Sequence, residues 1–537
     1  MDAFDYIVVG AGTAGCVVAS RLAERGHRVL LLEAGGSDCT VWIQLPIGYG
    51  RTFFDASVNW MYETQPVPGL GGRSSYWPRG KVVGGSGSIN AMVHVRGQPH
   101  DFDDWRDLGN PGWGWADVLP HFIRAEDSDI VEPGLRGQGG PQHVTDISGK
   151  VHPLCQRFVA AGAGLGLPVT RDFNGSQGEG LGIFQITTRS GRRASTANEY
   201  LRPALRQGRI RLETRALATR ILFEGTRAVG VEYRHNGMLK QARARGEVVL
   251  SGGSINSPQL LQLSGVGDPA LLGGLGIETV ADRAAVGANL QDHLAVSYFY
   301  GSSVPTLNDE LGPLLGKARA ALHYAFNRGG PLSMSVNQAG GFVRSHAAAE
   351  RVDLQLYFSP VSYTKTPLAE RRLANPDPFS AFLLSFNSCR PTSRGSLRIA
   401  SADPAQQPLI EPNYLATEQD IAEVQRGIAL LRRIAAASPL SDVVTGQLVP
   451  GAEVRSDEDW MDDFRARADT VYHPTSTCMM GPDPQTSVVD ARLRVHGLQG
   501  LRVVDASVFP TVTSGNTNAP TVMVAEKGAA MALEDRP

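Results

Sequence analysis

Apolar positions cluster in ways that predict alternating strands and helices from the start of the chain. Tyr6 to Val9 form a short continuous apolar run, the pattern of a strand buried on both faces. The turn Gly10-Ala11-Gly12-Thr13-Ala14-Gly15 follows, then a helical pattern from about Ala14 to Arg25 with Gly26 as its stop. Arg28 to Leu32 give a second buried strand that ends at Glu33, which completes a βαβ unit. The same texture returns over 209–300, with strands near Ile210 to Glu213, Val229 to Tyr233 and Glu247 to Leu250. There Ser257-Pro258 are expected to open a helix that runs through Leu263 and stops at Gly265. Over 301–464 the period changes to two: Asp353 to Phe358, Phe379 to Phe386 and Ser396 to Ile399 alternate, and a long helical pattern covers about Thr417 to Ala437. This predicts a separate antiparallel sheet with helices. A last strand, Leu501 to Val504, precedes a helix opened by Pro520 and running to about Leu533. The stretch from 41 to 120, rich in Trp, Gly and Pro, reads as loop.

Length and composition narrow the function classes. At 537 residues the chain is long enough for two or more structural units. Its 51 Lys+Arg against 53 Asp+Glu leave a formal charge of −2, so no global field attracts nucleic acid or anionic lipid. Glycine is the outlier: 61 residues, about 11% against a usual ~7%, predict many close backbone approaches. The five cysteines are scattered and contain no C-x-x-C pair, which argues against a disulfide framework or a zinc site and for a reducing compartment. No signal-peptide pattern and no uninterrupted apolar run of spanning length is present. A cytoplasmic protein is expected, with peripheral contact at the inner face of a membrane left open.

The first turn carries chemistry because its context is complete: strand before, helix after, and an acid at the end of the next strand. Gly10 permits the turn, Gly12 admits a pyrophosphate to the backbone, and Gly15 lets the helix pack close while its amides face the anion. Glu33 would accept from ribose hydroxyls and repel a 2′-phosphate, which argues for FAD or NAD over NADP. Arg79-Gly80-Lys81 leads into Gly84-Gly85-Ser86-Gly87-Ser88-Ile89-Asn90, a run able to set backbone N–H groups and the Asn90 amide against a flat or anionic ligand. Near the C-terminus come the polar loop Tyr472-His473-Pro474 and then Ser514-Gly515-Asn516-Thr517-Asn518-Ala519, just before a helix whose N-terminus suits an anion.

Together these blocks resemble the glucose-methanol-choline (GMC) flavoprotein oxidoreductases, in particular the choline dehydrogenase and aliphatic alcohol dehydrogenase branch. The further carriers are Gly253-Ser254-Ile255-Asn256-Ser257-Pro258, Asn289-Leu290-Gln291-Asp292-His293 and Asp505-Ala506-Ser507. The resemblance implies a Rossmann-like FAD-binding domain of α/β class (α+β overall), discontinuous over 1–150, 209–300 and 465–537. The inserted substrate domain, 151–208 and 301–464, would be built on an antiparallel sheet flanked by helices. It implies cofactor contacts from Gly10, Gly12, Thr13, Ala14, Gly15 and Glu33, from Trp60, Gly84, Gly85, Asn90 and Val93, and from Ala218, Asp505, Ala506 and Asn518. It makes His473 the general base, with a partner that holds the substrate oxygen. Counting from Asp505 favours Asn516 for that partner; counting back from Thr521 favours Asn518, and Asn516 is preferred.

Three departures stand out. Ile89 occupies the place of a flavin-attaching histidine, so FAD is expected to be non-covalent. Ser476 replaces the usual glycine of the His-Pro loop, and Met479 replaces a cation. The implied activity is oxidation of a primary alcohol to its aldehyde, with proton abstraction by His473, hydride transfer to flavin, and electrons passed to quinone or another acceptor. A hydroxynitrile lyase of the same fold and an oxidase are the alternatives. No metal and no nucleic acid is expected.

Overall fold

The computed structural model describes residues 3–364 and 375–535; positions 1–2, 365–374 and 536–537 of the expected domain ranges lie outside it. Two sheets dominate. The first runs in the order Ile210–Thr214, Val29–Glu33, Ala3–Val9, Met238–Leu250, Arg227–His235, Ala216–Glu224, with Leu501–Val503 beside the end of Met238–Leu250. Ala3–Val9 pairs in parallel with both Val29–Glu33 and Met238–Leu250, and Ile210–Thr214 extends the parallel part. Every residue of Val29–Glu33 is buried, as a strand covered on both faces must be. The helices Thr13–Glu24 and Asn518–Glu534 pack side by side on this sheet. The parallel strands Ala3–Val9, Val29–Glu33 and Met238–Leu250 bring their C-terminal ends to one cavity, reached by Val9, Leu32, Glu33 and Leu250.

The second sheet is antiparallel, in the order Val444–Val449, Leu294–Ser302, Ala381–Ser388, Leu354–Ser359, Ala339–Val343, Gly180–Ile183. Its alternation is clean. Along Leu294–Ser302, Leu294, Val296, Tyr298 and Tyr300 face a core shared with the helices Leu154–Gly164 and Glu418–Ala435, whereas Ala295, Ser297 and Phe299 face the cavity. Leu356 and Phe358 against Tyr357 and Ser359, and Leu384 and Phe386 against Leu383 and Ser385, repeat the division on the neighbouring strands. One face of this sheet is therefore core and the other is the roof of the cavity.

Three expectations need correction. The 41–120 stretch is not all loop: it contains the helix Pro99–Asp107, and Trp115–Ala125 begins inside it. Trp105 and Trp113 are core residues there, so the tryptophan density signals helix packing. The helix expected from Ser257-Pro258 begins at Gly253. Pro258 sits inside it, and the Ser254 carbonyl that a residue-258 amide would have bonded accepts from Thr477 Oγ1 at 2.7 Å instead. The last helix starts at Asn518, two residues before Pro520. Among the described residues no helix is long and apolar enough to cross a membrane, and no cluster of potential metal ligands occurs.

Candidate active site

A single cavity of about 570 Å³ runs from the first βαβ turn to the His-Pro loop. At one end, Gly10 and Gly15 make close approaches that a side chain would block: a Cβ would lie 2.5 Å from Ser251 O at Gly10 and 1.8 Å from Gly10 O at Gly15. A Cβ on Gly12 would meet no atom nearer than 3.8 Å and would occupy cavity space instead. The helices Thr13–Glu24 and Asn518–Glu534 both start at this cavity without a side-chain cap and without an acid in the first turn. Thr13 Oγ1 donates to Asn518 Oδ1 at 2.9 Å and joins the two starts. Two unsatisfied helix N-termini facing an open cradle fit a pyrophosphate. Glu33 closes this end: its carboxylate accepts from Ala11 N at 3.0 Å and Gly35 N at 2.8 Å. Burial raises its pKa to about 7, against the lowering effect of those amides and of Lys81.

Ala14, Trp60, Gly85, Asn90, Val93 and Ala218 also line the cavity, along with Asp505 and Ala506. Lys81 Nζ stands 4.5 Å from the Trp60 ring centroid. Arg193, a buried guanidinium, donates to Asn90 Oδ1 at 2.7 Å and to Gly87 O at 3.2 Å, which fixes the Asn90 amide. Ile89 offers no nucleophile here. Two expected contacts stand back from the lining. Gly15 packs the helix onto the turn; Gly84, at φ +87°, donates its amide to Ala11 O and shapes the loop. The Asp505 carboxylate is engaged within the protein, accepting from Ser257 Oγ, Gly253 N, Ser507 N and Ser507 Oγ. It clamps the end of Leu501–Val503 to the start of Gly253–Leu263.

At the other end the backbone is bent sharply, with Tyr472 at φ +73° and Ser476 at φ +75°. Ser476 thus occupies a left-handed conformation that glycine adopts at least cost. His473 is held from three sides. Asp292 Oδ1 accepts from His473 N at 2.7 Å, and Asp292 itself is anchored by Thr470 Oγ1 at 2.5 Å and by the Tyr414 hydroxyl. His473 Nδ1 lies 2.9 Å from His293 Nδ1, and His473 Nε2 lies 3.1 Å from Asn516 Nδ2. Gln355 Nε2 donates to Asn516 Oδ1 at 3.2 Å, which turns the Asn516 amide nitrogen toward His473.

The tautomers follow from one fixed point. His293 Nε2 is 2.9 Å from the carbonyl of Cys389, which can only accept, so the proton of neutral His293 is on Nε2. His293 Nδ1 is then an acceptor, His473 Nδ1–H donates to it, and His473 Nε2 carries a bare lone pair facing Asn516. Both rings are buried and neutral. Burial lowers His293 to about 4, and burial, with the Arg79 guanidinium nearby, lowers His473 well below the usual imidazole value. Asn518 points to Thr13 and not to His473. His293 and Asp292 had a signal in the Asn289-Leu290-Gln291-Asp292-His293 block, but without the third dimension it named no function. Gln355 had none: it is one residue of an alternating strand.

The GMC oxidoreductase family profile matches in two parts, residues 4–295 and 391–525. Mitochondrial choline dehydrogenase of Mus musculus is 43% identical over 555 residues, spanning 100% of this chain and 91% of that protein. Alcohol dehydrogenase [acceptor] of Pseudomonas putida is 40% identical over 531 residues, 98% of this chain and 95% of its own length. A solved structure of Aspergillus oryzae formate oxidase, studied for its FAD modification, superposes with a TM-score of 0.90 at 26% identity over 100% of this chain and 99% of that one.

Proposed function

The chain belongs to the GMC oxidoreductase family and is an FAD-dependent enzyme, and from that premise we propose that it oxidises a neutral primary alcohol to the aldehyde. The carrying observation is the bare Nε2 of His473, held beside the Asn516 amide at the cavity wall. An alcohol oxygen seated against both, in place of their direct contact, accepts from Asn516 Nδ2–H and gives its proton to His473 Nε2. The imidazolium that forms keeps its Nδ1–H bonded to His293, and the Asp292 bond to His473 N keeps the ring from turning away. Bound FAD supplies the two-electron acceptor for the carbon centre. The cradle of Gly10, Gly12, the two helix starts and Glu33 would hold its pyrophosphate and ribose, and the absence of a nucleophile at Ile89 favours non-covalent binding. Residues 1–150, 209–300 and 465–537 serve in this reading as the cofactor-binding unit, and 151–208 with 301–464 as the substrate-binding unit.

The substrate class follows from the lining. Tyr49, Phe53, Met92, Val336 and Tyr363 give the cavity an apolar and aromatic wall. The carboxylates that line it among the described residues are each bonded within the protein: Glu33 by amides, Asp505 as above, and Asp469 by Ser75 Oγ and Thr470 N. That favours an alcohol on an apolar group over one on a quaternary ammonium, which calls for a committed anion. Electrons would pass to a quinone or a similar carrier. The test is an anaerobic titration of the yellow holoenzyme with a medium-chain alcohol, a benzylic alcohol, choline and a hexose. Fast bleaching by the first two, slowed about 10²–10⁴-fold in His473→Ala, is the expected result. Bleaching by choline alone would move the substrate class; cyanohydrin cleavage without bleaching would replace the oxidation by a lyase activity.

A further inference from the structure

The helix Leu314–Asn327 turns an apolar face to solvent that the active site does not use. Of its 14 residues only Ala320 is buried. Leu314 is 85% exposed, Leu315 70%, Leu322 59% and Phe326 83%; Ala318, Ala321 and Ala325 are exposed with them. At 3.6 residues per turn these seven positions make one continuous stripe on the side opposite Ala320. Lys317 flanks the stripe on one edge, Arg319 and His323 flank it on the other, and Arg328 caps the end. The helix contains no acid; Glu310, the nearest in sequence before it, sits on the preceding short helix Leu307–Leu311. Ala320 belongs to one buried apolar cluster with Tyr49, Met92 and Val336, three residues of the cavity wall. The Tyr324 hydroxyl donates to Gly191 O at 2.9 Å, a second attachment.

We propose that this helix docks the enzyme on an anionic phospholipid surface, lying in the headgroup plane with Leu314, Leu315, Leu322 and Phe326 in the acyl boundary. An apolar stripe bordered by Lys and Arg is the pattern of an interfacial helix, whose cations reach the phosphates while its stripe enters the apolar layer. A second copy of the chain fits worse. A two-fold contact would set Lys317 and Arg319 of one helix against the same cations of its mate. Docking also brings the apolar cavity wall behind Ala320 next to the bilayer, on the side from which apolar molecules arrive. The docking stands on the helix alone and does not require the alcohol reading.

The experiment is flotation of the FAD-loaded enzyme with phosphatidylcholine vesicles, with and without phosphatidylglycerol. Binding is expected with the anionic vesicles and reduced by salt. Leu322→Glu with Phe326→Glu, and separately Lys317→Glu with Arg319→Glu, are each expected to lower partitioning on the order of tenfold or more, while alcohol-driven bleaching in solution stays as in the parent enzyme. The proposal is overturned if the parent enzyme stays with the bottom fraction, or if the variants float as well as it does. It is likewise overturned if sedimentation shows a dimer that the Leu322→Glu, Phe326→Glu variant dissociates, which would make the stripe a contact between copies.

Discussion

His473 depends on its neighbour for the tautomer that leaves Nε2 bare. The order runs from the Cys389 carbonyl through His293 to His473, so removing the acceptor at His293 Nδ1 leaves the His473 Nδ1–H unpaired in a dry site. A shift of the proton to Nε2 would set it against the Asn516 amide donor, and the imidazolium formed on proton transfer would have no acceptor for its Nδ1–H, so the base is weakened either way. His293→Phe is therefore expected to lower the rate of flavin bleaching roughly 10–100-fold with the substrate half-saturation little changed. His293→Asn, which puts an oxygen acceptor near the Nδ1 position, is expected to recover part of the loss. Equal rates in the two variants would mean that the neighbour only fills space. Glu33 makes a second expectation at this scale. Its carboxyl, held near 7 by burial, is ionised above that pH and protonated below it. Only the ionised form offers lone pairs on both oxygens to ribose hydroxyls. FAD affinity is thus expected to be full above 7 and to fall on acidification, roughly tenfold between pH 8 and pH 6, with binding pulling the Glu33 pKa down in return. The apoprotein titrated with FAD by fluorescence quenching at several pH values reads this directly, and Glu33→Gln should abolish the slope. Glu33 and His473 were legible in the sequence because motif position exposes them; the His293 function was not, since it exists only in a distance between residues 180 apart in the chain.

Element boundaries show where local rules give way. Pro258 read as a helix start because proline is tolerated in the first turn, yet the chain begins that helix at Gly253 and spends a tertiary contact on the consequence. Thr477 Oγ1 fills the gap at Ser254 O, while Ser254 Oγ donates to Pro474 O at 2.6 Å, so the helix and the His-Pro loop are laced together at the proline. Thr477→Val is expected to destabilise the protein by about 1–2 kcal/mol. In a Pro258→Ala background, where residue 258 regains an N–H for Ser254 O, the cost of Thr477→Val should shrink. Urea unfolding of the four proteins measures the coupling; additive costs would show that the threonine does not serve the carbonyl. Of the antiparallel strands, Leu354–Ser359 and Ala381–Ser388 were legible in the sequence, since each has one face on the core and one on the cavity, whereas Ser396–Arg398, read with them, pairs with Leu409–Glu411 in a separate two-stranded sheet. The helices Pro99–Asp107 and Trp115–Ala125 were hidden by the Trp, Gly and Pro around them, whose turn signals outweighed a short apolar face.

At the scale of the molecule, two hydrophobic cores flank one cavity. One centres on the parallel sheet and the helices Thr13–Glu24 and Asn518–Glu534, the other on the antiparallel sheet and Glu418–Ala435, and no buried residue belongs to both. The cavity wall takes Val9, Glu33 and Leu250 from the first sheet and Ala295, Tyr357 and Ser385 from the second. A ligand that fills it touches residues of both sheets at once and adds packing between them. FAD should accordingly act as a structural member: its removal is expected to lower the melting temperature, and adding it back should stabilise by about 1.4 kcal/mol for each tenfold excess over Kd. Glu33→Gln and wild type should converge at saturating FAD if the carboxylate serves affinity alone. Differential scanning calorimetry reads this as the number of transitions. One concerted transition with FAD, and an earlier separate one without it, is the expected pattern. A melting temperature indifferent to FAD would mean that the two cores hold each other without the cofactor, and that the cavity is a binding site only.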